Sequence, residues 1–230
     1  MRNNWKILTI IFVILFFVIF FRENHPSRIY YRLSQPHPHT SINVFPNYVH
    51  YKSVYEELDC KNKIVFIGNS ITEGCNWNEL LGRNDTVNKG ISGDSTNEVL
   101  KRLDIYLRQK PKCIFIMIGI NDICQEISMD TIKSNYSKII NNILSNNVQL
   151  FIQSTLYTNI IDRNRKVQIL NNYLVEQCKL LSIQYIDING RLSNNNILSN
   201  KYSNDGLHLN GDGYIIWKEI ISPYVNKIPS

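Results

Sequence analysis

The sequence predicts a doubly wound, three-layer α/β/α domain with a mostly parallel sheet, preceded by an N-terminal membrane segment. Two observations lead to the α/β prediction. Short runs of consecutive apolar residues recur along the chain, and segments with apolar residues at helical spacing lie between them. Strands that are apolar on both faces are typical of parallel sheets covered by helices on each side. A chain of 230 residues, 43% of them hydrophobic, is long enough for one such domain.

The N-terminus carries the longest apolar stretch, which runs from Ile7 to Phe21 without a charged residue and follows Arg2 and Lys6. Its length approaches the roughly 17–25 residues that a membrane-spanning helix needs. A cleaved signal peptide is the alternative, but no small-residue cleavage site follows the stretch. We therefore expect residues 1–21 to be an uncleaved membrane anchor with the domain on the extracytoplasmic side. The protein would be secreted if this segment were cleaved.

Residues 22–60 form a segment of different composition. Four of the seven prolines lie between residues 22 and 50, partly in a polyproline-like stretch. This composition predicts an extended linker. From residue 61 onward apolar runs alternate with helical periods, so the predicted domain comprises residues 61–230.

The strands are predicted from apolar runs that end at glycines or polar residues. The first run precedes Gly68 and the next precedes Gly119. In chain order the predicted strands are Ile64–Ile67, Cys113–Ile118, Val148–Ile152 and Tyr185–Ile188. Because these runs do not alternate with polar residues, we expect strands that are buried on both faces.

The helices are predicted from apolar stripes between those strands. Ser95 followed by Glu98 has the spacing of a capping box at a helix start. The stripes of three helices are Val99, Leu103 and Tyr106/Leu107; Ile132, Tyr136, Ile139/Ile140 and Ile143; and Val167, Leu170, Leu174, Cys178 and Leu181. These stripes indicate faces that pack on the sheet rather than surfaces for a cofactor.

Cysteine content and charge exclude two classes of function. The five cysteines show no CxxC spacing and no nearby histidine, so neither metal binding nor a disulfide framework is expected. A single disulfide between Cys75 and Cys124 stays an open alternative. The net charge of +6 is scattered and not interleaved with aromatic residues, so no nucleic-acid partner is expected.

Polar and glycine-containing motifs follow the predicted strands, where α/β sheets place their reactive groups. Four such motifs occur: Gly68-Asn69-Ser70, Asn88-Lys89-Gly90-Ile91-Ser92-Gly93-Asp94, Gly119-Ile120-Asn121-Asp122 and Asp205-Gly206-Leu207-His208. His208 is the only histidine after residue 50, and Asp205 precedes it closely enough to orient its ring. The last motif also has a non-catalytic interpretation, in which the histidine is a surface residue and Asp-Gly forms a simple turn.

Taken together and in this order, these motifs resemble the four blocks of SGNH hydrolases, the GDSL-like esterases and lipases. The resemblance covers about residues 61–225 and implies the flavodoxin-like fold of that family. It implies that Ser70 is the nucleophile and that Asp205 and His208 complete the triad. It implies an oxyanion hole formed by Ser70, Gly90 and Asn121, without a metal or other cofactor. Asn69 stands at the position where the letters GDSL of the family name have Asp.

The residues predict serine-dependent hydrolysis of a carboxylic ester through an acyl-enzyme. A carbohydrate or similar small ester that carries an O-acetyl or short acyl group is the favoured substrate, because the loops are short. Alternatives are a lysophospholipase, a platelet-activating-factor-acetylhydrolase-like enzyme and a thioesterase. A membrane-tethered inactive binding module is the non-enzymatic alternative, although none of the expected site residues is missing.

Overall fold

The computed structural model describes residues 46–229. The predicted anchor at residues 1–21 and most of the predicted linker lie outside these residues. Among the described residues, no helix combines the length and the apolarity needed to cross a membrane.

The centre of the domain is a five-stranded sheet in the order β2-β1-β3-β4-β5, with every neighbouring pair parallel. Each residue of β1 and β3 is buried, so both faces of the central strands are covered. The predicted α/β class with a parallel sheet is therefore confirmed. The strands are β1 Ile64–Gly68, β2 Thr86–Gly90, β3 Cys113–Met117, β4 Gln149–Gln153 and β5 Gln184–Ile186.

Helices connect these strands, and a small antiparallel hairpin follows the sheet. The hairpin strands are β6 Ser193–Asn194 and β7 Ile197–Leu198. The helices are α1 Pro46–Glu57, α2 Ser70–Glu73, α3 Trp77–Leu81, α4 Thr96–Leu107, α5 Ile120–Cys124, α6 Met129–Ser145, α7 Ile161–Leu181, α8 Asn189–Leu192 and α9 Gly211–Val225. The stripes predicted from the sequence lie in α4, α6 and α7, and most of their residues are buried.

Strand β2 is absent from the strands predicted from the sequence, and its residues Asn88 to Gly90 belong to one of the glycine-containing motifs. It contains one aliphatic residue, Val87, and lies at the edge of the sheet. Its polar side chains are used in long-range contacts instead. Asn88 Nδ2 donates hydrogen bonds to three carbonyl oxygens between Thr72 and Cys75, at distances of 2.8–3.1 Å. Such a strand is stabilised by its neighbours rather than by an apolar pattern, so local sequence does not reveal it.

The predicted linker also differs in its last part, because residues 46–57 form helix α1 rather than extended chain. Tyr48 and Tyr55 on this helix are buried. The Tyr55 hydroxyl donates a hydrogen bond to the carbonyl of Gly90 (3.1 Å). The buried Lys89 Nζ donates to the carbonyls of Tyr55 and Leu58. These contacts join α1 to the edge strand, and they depend on residues about 30 positions away.

Helix α9 is held against the sheet by aromatic contacts. Trp217 packs edge-to-face on Trp77 (ring centroids 4.8 Å apart) and donates a hydrogen bond from Nε1 to Gln153 Oε1. The Tyr214 hydroxyl donates to the carbonyl of Ile71, one residue after Ser70 (2.7 Å). The C-terminal helix is therefore fixed relative to the start of α2.

Candidate active site

Ser70 is the first residue of α2 and is separated from β1 by Asn69 alone. The Asn69 side chain caps this helix by accepting a hydrogen bond from the Ile71 N–H (3.0 Å). Gly68 permits the close approach of the turn to β3, because a Cβ there would lie 2.6 Å from the Met117 carbonyl oxygen. The sharp strand-to-helix turn places the Ser70 side chain at the carboxyl edge of the sheet.

The structure brings the three predicted triad residues together. Ser70 Oγ lies 2.9 Å from His208 Nε2, and His208 Nδ1 lies 2.7 Å from Asp205 Oδ2. Asp205 Oδ1 also accepts hydrogen bonds from the backbone N–H groups of Leu207 and His208. The hydrogen bond from His208, above all, holds the pKa of Asp205 well below its ordinary value. An ionised Asp205 favours the tautomer that carries its proton on Nδ1, which leaves Nε2 free to accept the Ser70 proton.

The loop that carries Asp205 and His208 depends on Gly206. This residue has a positive φ of 76°, and a Cβ at its position would lie 2.1 Å from the Asn159 side chain. Asn159 N–H donates a hydrogen bond to the Gly206 carbonyl (2.8 Å). The glycine therefore lets the triad loop pack tightly against the segment that follows β4.

Two of the three predicted oxyanion donors, Ser70 and Asn121, have an N–H group that can donate to a substrate oxygen. The Ser70 N–H is at the start of α2, and the first N–H groups of a helix have no partner within it. Asn121 lies in α5, directly after β3, which is the strand next to β1. Its Nδ2 donates one hydrogen bond to the Asp94 carbonyl (2.8 Å). The amide has two protons, so a second one is left for a substrate oxygen.

Gly90, the third predicted donor, has a different role in the structure. Its N–H donates to the Asn88 side chain (2.8 Å), and a Cβ at this position would lie 2.4 Å from the Glu73 backbone nitrogen. Gly90 therefore packs against α2 and offers no free N–H. Within residues 46–229 the N–H of Gly93 has no acceptor, and its φ is +85°. Gly93, in the same motif as Gly90, is the better candidate, although local sequence did not distinguish the two.

The loop around Gly93 is fixed by three charged groups, of which Asp94 and Arg102 are buried. Glu73 Oε2 accepts hydrogen bonds from the backbone N–H and the hydroxyl of Ser92. The fully buried Arg102 guanidinium donates to Asp94 Oδ2 (2.8 Å) and to the Gly68 carbonyl (3.2 Å). Burial raises the pKa of Asp94 to about 7, and Arg102 opposes that rise. This pair connects the end of β1 with the Gly93 loop, and the Asp94 carbonyl of that loop accepts the hydrogen bond from Asn121. The oxyanion donors are therefore preorganised.

Asp122, next to Asn121, fixes the same region from the other side. Its carboxylate accepts hydrogen bonds from the backbone N–H (2.9 Å) and the hydroxyl of Thr96 at the start of α4. Burial raises the pKa of Asp122 to about 6, and the hydrogen bonds from Thr96 oppose that rise. Asp122 thus joins α5 to α4.

The cysteines do not form a competing site. Cys75 and Cys124 are both free thiols, so the alternative of a disulfide between them is wrong. Burial raises the pKa of Cys75 to about 12, which keeps it a neutral thiol at physiological pH. Over residues 46–229, no three His, Cys, Asp or Glu side chains gather as a metal-ligand set.

A family model described as the GDSL-like Lipase/Acylhydrolase family matches residues 66–216, which include Ser70, Asp205 and His208. The chain belongs to the GDSL-like lipase/acylhydrolase family. Members of this family are lipases and acylhydrolases, so the prediction of an ester hydrolase is confirmed.

Two curated proteins are similar to this chain in sequence. Platelet-activating factor acetylhydrolase IB subunit alpha2 of Rattus norvegicus is 30% identical over 68% of this chain and 74% of its own length. N-acylneuraminate cytidylyltransferase of Streptococcus agalactiae is 24% identical over 65% of this chain. The match spans only 38% of that second relative.

Two solved structures share the fold. A GDSL-like lipase from Bacteroides thetaiotaomicron has a TM-score of 0.70 and is 25% identical, over 79% of this chain and 98% of that one. An acetylxylan esterase from Geobacillus stearothermophilus, solved as a catalytic mutant, has a TM-score of 0.60 and is 16% identical. It covers 74% of this chain and 95% of its own.

Proposed function

We propose that this GDSL-like acylhydrolase removes an acetyl or other short acyl group from a carbohydrate or similar small ester. The openness of the site carries this proposal. The side chains of His208 and Asp205 are 44% and 55% exposed, and Ser70 is partly buried. The connections that follow β1 and β3 are only one and two residues long. A bulky, hydrophilic alcohol can therefore approach Ser70 directly from solvent, whereas a long acyl chain would require an apolar channel.

The proposed mechanism uses the contacts described above. His208 Nε2 takes the proton from Ser70 Oγ as that oxygen attacks the ester carbonyl. The developing oxyanion is received by the Ser70 N–H, the Gly93 N–H and Asn121 Nδ2, each worth about 3–4 kcal/mol in the transition state. His208 then protonates the leaving alcohol. Water, deprotonated by His208, attacks the acyl-enzyme. The bond to Ser70 Oγ then breaks, the acid is released, and His208 returns the proton to Ser70 Oγ.

The names of two compared proteins support a short acyl group. The Rattus norvegicus relative is named an acetylhydrolase and the Geobacillus stearothermophilus neighbour an acetylxylan esterase. Both names specify an acetyl group, although their alcohols differ. The identity to the former makes a lysophospholipase or platelet-activating-factor-acetylhydrolase-like activity the second candidate.

The test is a substrate comparison on the detergent-solubilised full-length protein. Acetylated xylooligosaccharides, a lysophospholipid and an acyl thioester would be offered at equal concentration, and released acid or thiol measured. We expect the acetylated saccharides to have the highest kcat/KM. The Ser70→Ala variant, which lacks only the nucleophilic oxygen, should show background rates on all three. Preference for the lysophospholipid would support the second candidate instead.

We further propose that residues 1–21 hold the enzyme at a membrane with its active site on the extracytoplasmic side. The uncharged stretch between Ile7 and Phe21 supports this proposal. The full-length protein should then fractionate with membranes and retain its N-terminus. A mature chain that begins after residue 21 would instead indicate a cleaved signal peptide.

A further inference from the structure

A cavity separate from the triad lies at the β5 end of the sheet, with a volume of about 460 Å³. Residues from α7, β5, α8 and the β6–β7 hairpin line it, together with Tyr157 from the segment after β4. None of the triad residues lines it. Its volume falls within the range of roughly 300–1,000 Å³ that is typical of small-molecule sites.

The floor of this cavity is rigid. Asn171 accepts a hydrogen bond from the Thr155 N–H and donates to the Thr155 carbonyl, each at 2.9 Å. Asn189 accepts from the Tyr157 N–H and donates to the same Thr155 carbonyl. Both asparagines are buried, and every one of these contacts is with the backbone after β4. The cavity is therefore formed before any ligand binds.

The walls and rim carry polar groups that the protein does not use. In the described part of the chain, the side-chain amides of Asn172 and Asn195, the Tyr157 hydroxyl and Asp187 Oδ2 form no hydrogen bond within the protein. Asn172 and Asn195 are exposed, whereas Tyr157 is buried. These groups can donate to and accept from a ligand that enters the cavity.

The chemistry of the lining selects one class of ligand. It contains no lysine, arginine or histidine, so it does not suit a phosphate or a carboxylate. Its amides and its carboxylate do not suit an acyl chain. Amides, one carboxylate and the rings of Tyr157 and Tyr185 suit the hydroxyl groups and apolar faces of a neutral sugar.

The cavity is also near the triad loop. Tyr157 lines the cavity, and Asn159, two residues later, contacts Gly206 between Asp205 and His208. Two residues of chain span at most about 7 Å. We infer that this cavity is a saccharide-binding subsite, which holds a neutral sugar unit of a glycan whose ester lies at Ser70. The link to catalysis rests on the proposed function, whereas the binding site itself does not.

Binding is tested first, with full-length Ser70→Ala protein and the neutral probes xylotetraose and cellotetraose. We expect calorimetric binding of at least one probe. Tyr157→Phe combined with Asn172→Ala should weaken that binding about tenfold or more. The double variant lacks a hydroxyl and an amide that form no hydrogen bond within the protein and are free to bind the sugar. Asn141→Ala, a matched exposed asparagine on α6, should have no effect. Absence of binding at millimolar concentrations, or equal binding by the double variant, would overturn the inference.

Kinetics then separate this site from the proposed function. In the Ser70-containing enzyme, the double variant should raise KM for an acetylated xylotetraose about tenfold. Its kcat and its rate on p-nitrophenyl acetate, which has no sugar, should be unchanged. Saccharide binding without hydrolysis of acetylated saccharides would leave the subsite intact and refute the proposed function. Hydrolysis with an unchanged KM in the double variant would refute the subsite and leave the proposed function standing.

Discussion

The role of Asn121 offers the sharpest test of the catalytic site. Replacing it with alanine removes Nδ2, which donates to the Asp94 carbonyl at 2.8 Å and has a second proton available for the oxyanion. The lost intramolecular hydrogen bond should lower the free energy of unfolding by about 1 kcal/mol. The lost oxyanion contact should raise the free energy of the transition state by about 3–4 kcal/mol. The variant should therefore lose far more activity than stability.

The assay compares urea unfolding with steady-state kinetics. We expect kcat to fall by about 10²–10³ with little change in KM, because the contact strengthens mainly in the transition state. A fluorophosphonate should still label Ser70 of this variant, but more slowly than in the wild type.

Asn135→Ala is the matched control for Asn121→Ala. Asn135 is buried and donates a hydrogen bond of 3.0 Å to the Thr96 hydroxyl, which also forms a hydrogen bond with Asp122. It should lose stability while kcat changes by less than about threefold, since it faces no substrate oxygen. A kcat for Asn121→Ala within tenfold of wild type, or parallel losses of stability and activity like those of a structural residue, would refute the oxyanion role.

Three further predictions follow from other contacts. His208→Ala should abolish ester hydrolysis while chelators leave the wild type unaffected; chelator-sensitive activity restored by added metal would contradict the serine mechanism. Hydrogen bonds from Arg83, above all, lower the pKa of Asp85 from 3.8 to about 2. The ionised carboxylate therefore stabilises the fold above pH 3.8, and this stabilisation is lost as the pH falls through 2. Asp85→Asn should thus cost about 2 kcal/mol of unfolding free energy at pH 7 and progressively less in acid, as urea titrations can measure; a cost independent of pH would refute the ionic origin. A chain shortened to residues 61–230 leaves the buried Lys89 amine without its two carbonyl partners. It should therefore be about 1–3 kcal/mol less stable to unfolding than a chain of residues 42–230. Equal melting temperatures of the two chains would show that α1 is dispensable.

Local sequence was sufficient to predict the central strands, and the resemblance of four short motifs to a known family was sufficient to predict the triad residues. Strands β1 and β3 are buried on both faces, so nearly all their residues are apolar and the pattern is visible in the chain itself. Ser70 lies two residues after the end of such a strand, and Asp205 and His208 lie only three residues apart, so their motifs are short and continuous. The structure then brings Ser70 and His208, which are 138 residues apart, within 2.9 Å.

Tertiary structure decided the features that depend on distant contacts. Edge strand β2 and helix α1 lack strong apolar periodicity, and Asn88, Lys89 and Tyr55 stabilise them through hydrogen bonds to remote backbone groups. The same holds for the oxyanion glycine. Gly90 and Gly93 look equivalent in the sequence, but Asn88 occupies the N–H of Gly90 and α2 packs against it. Whether a backbone N–H is free depends on the groups that the fold brings to it, and residue type alone does not encode this.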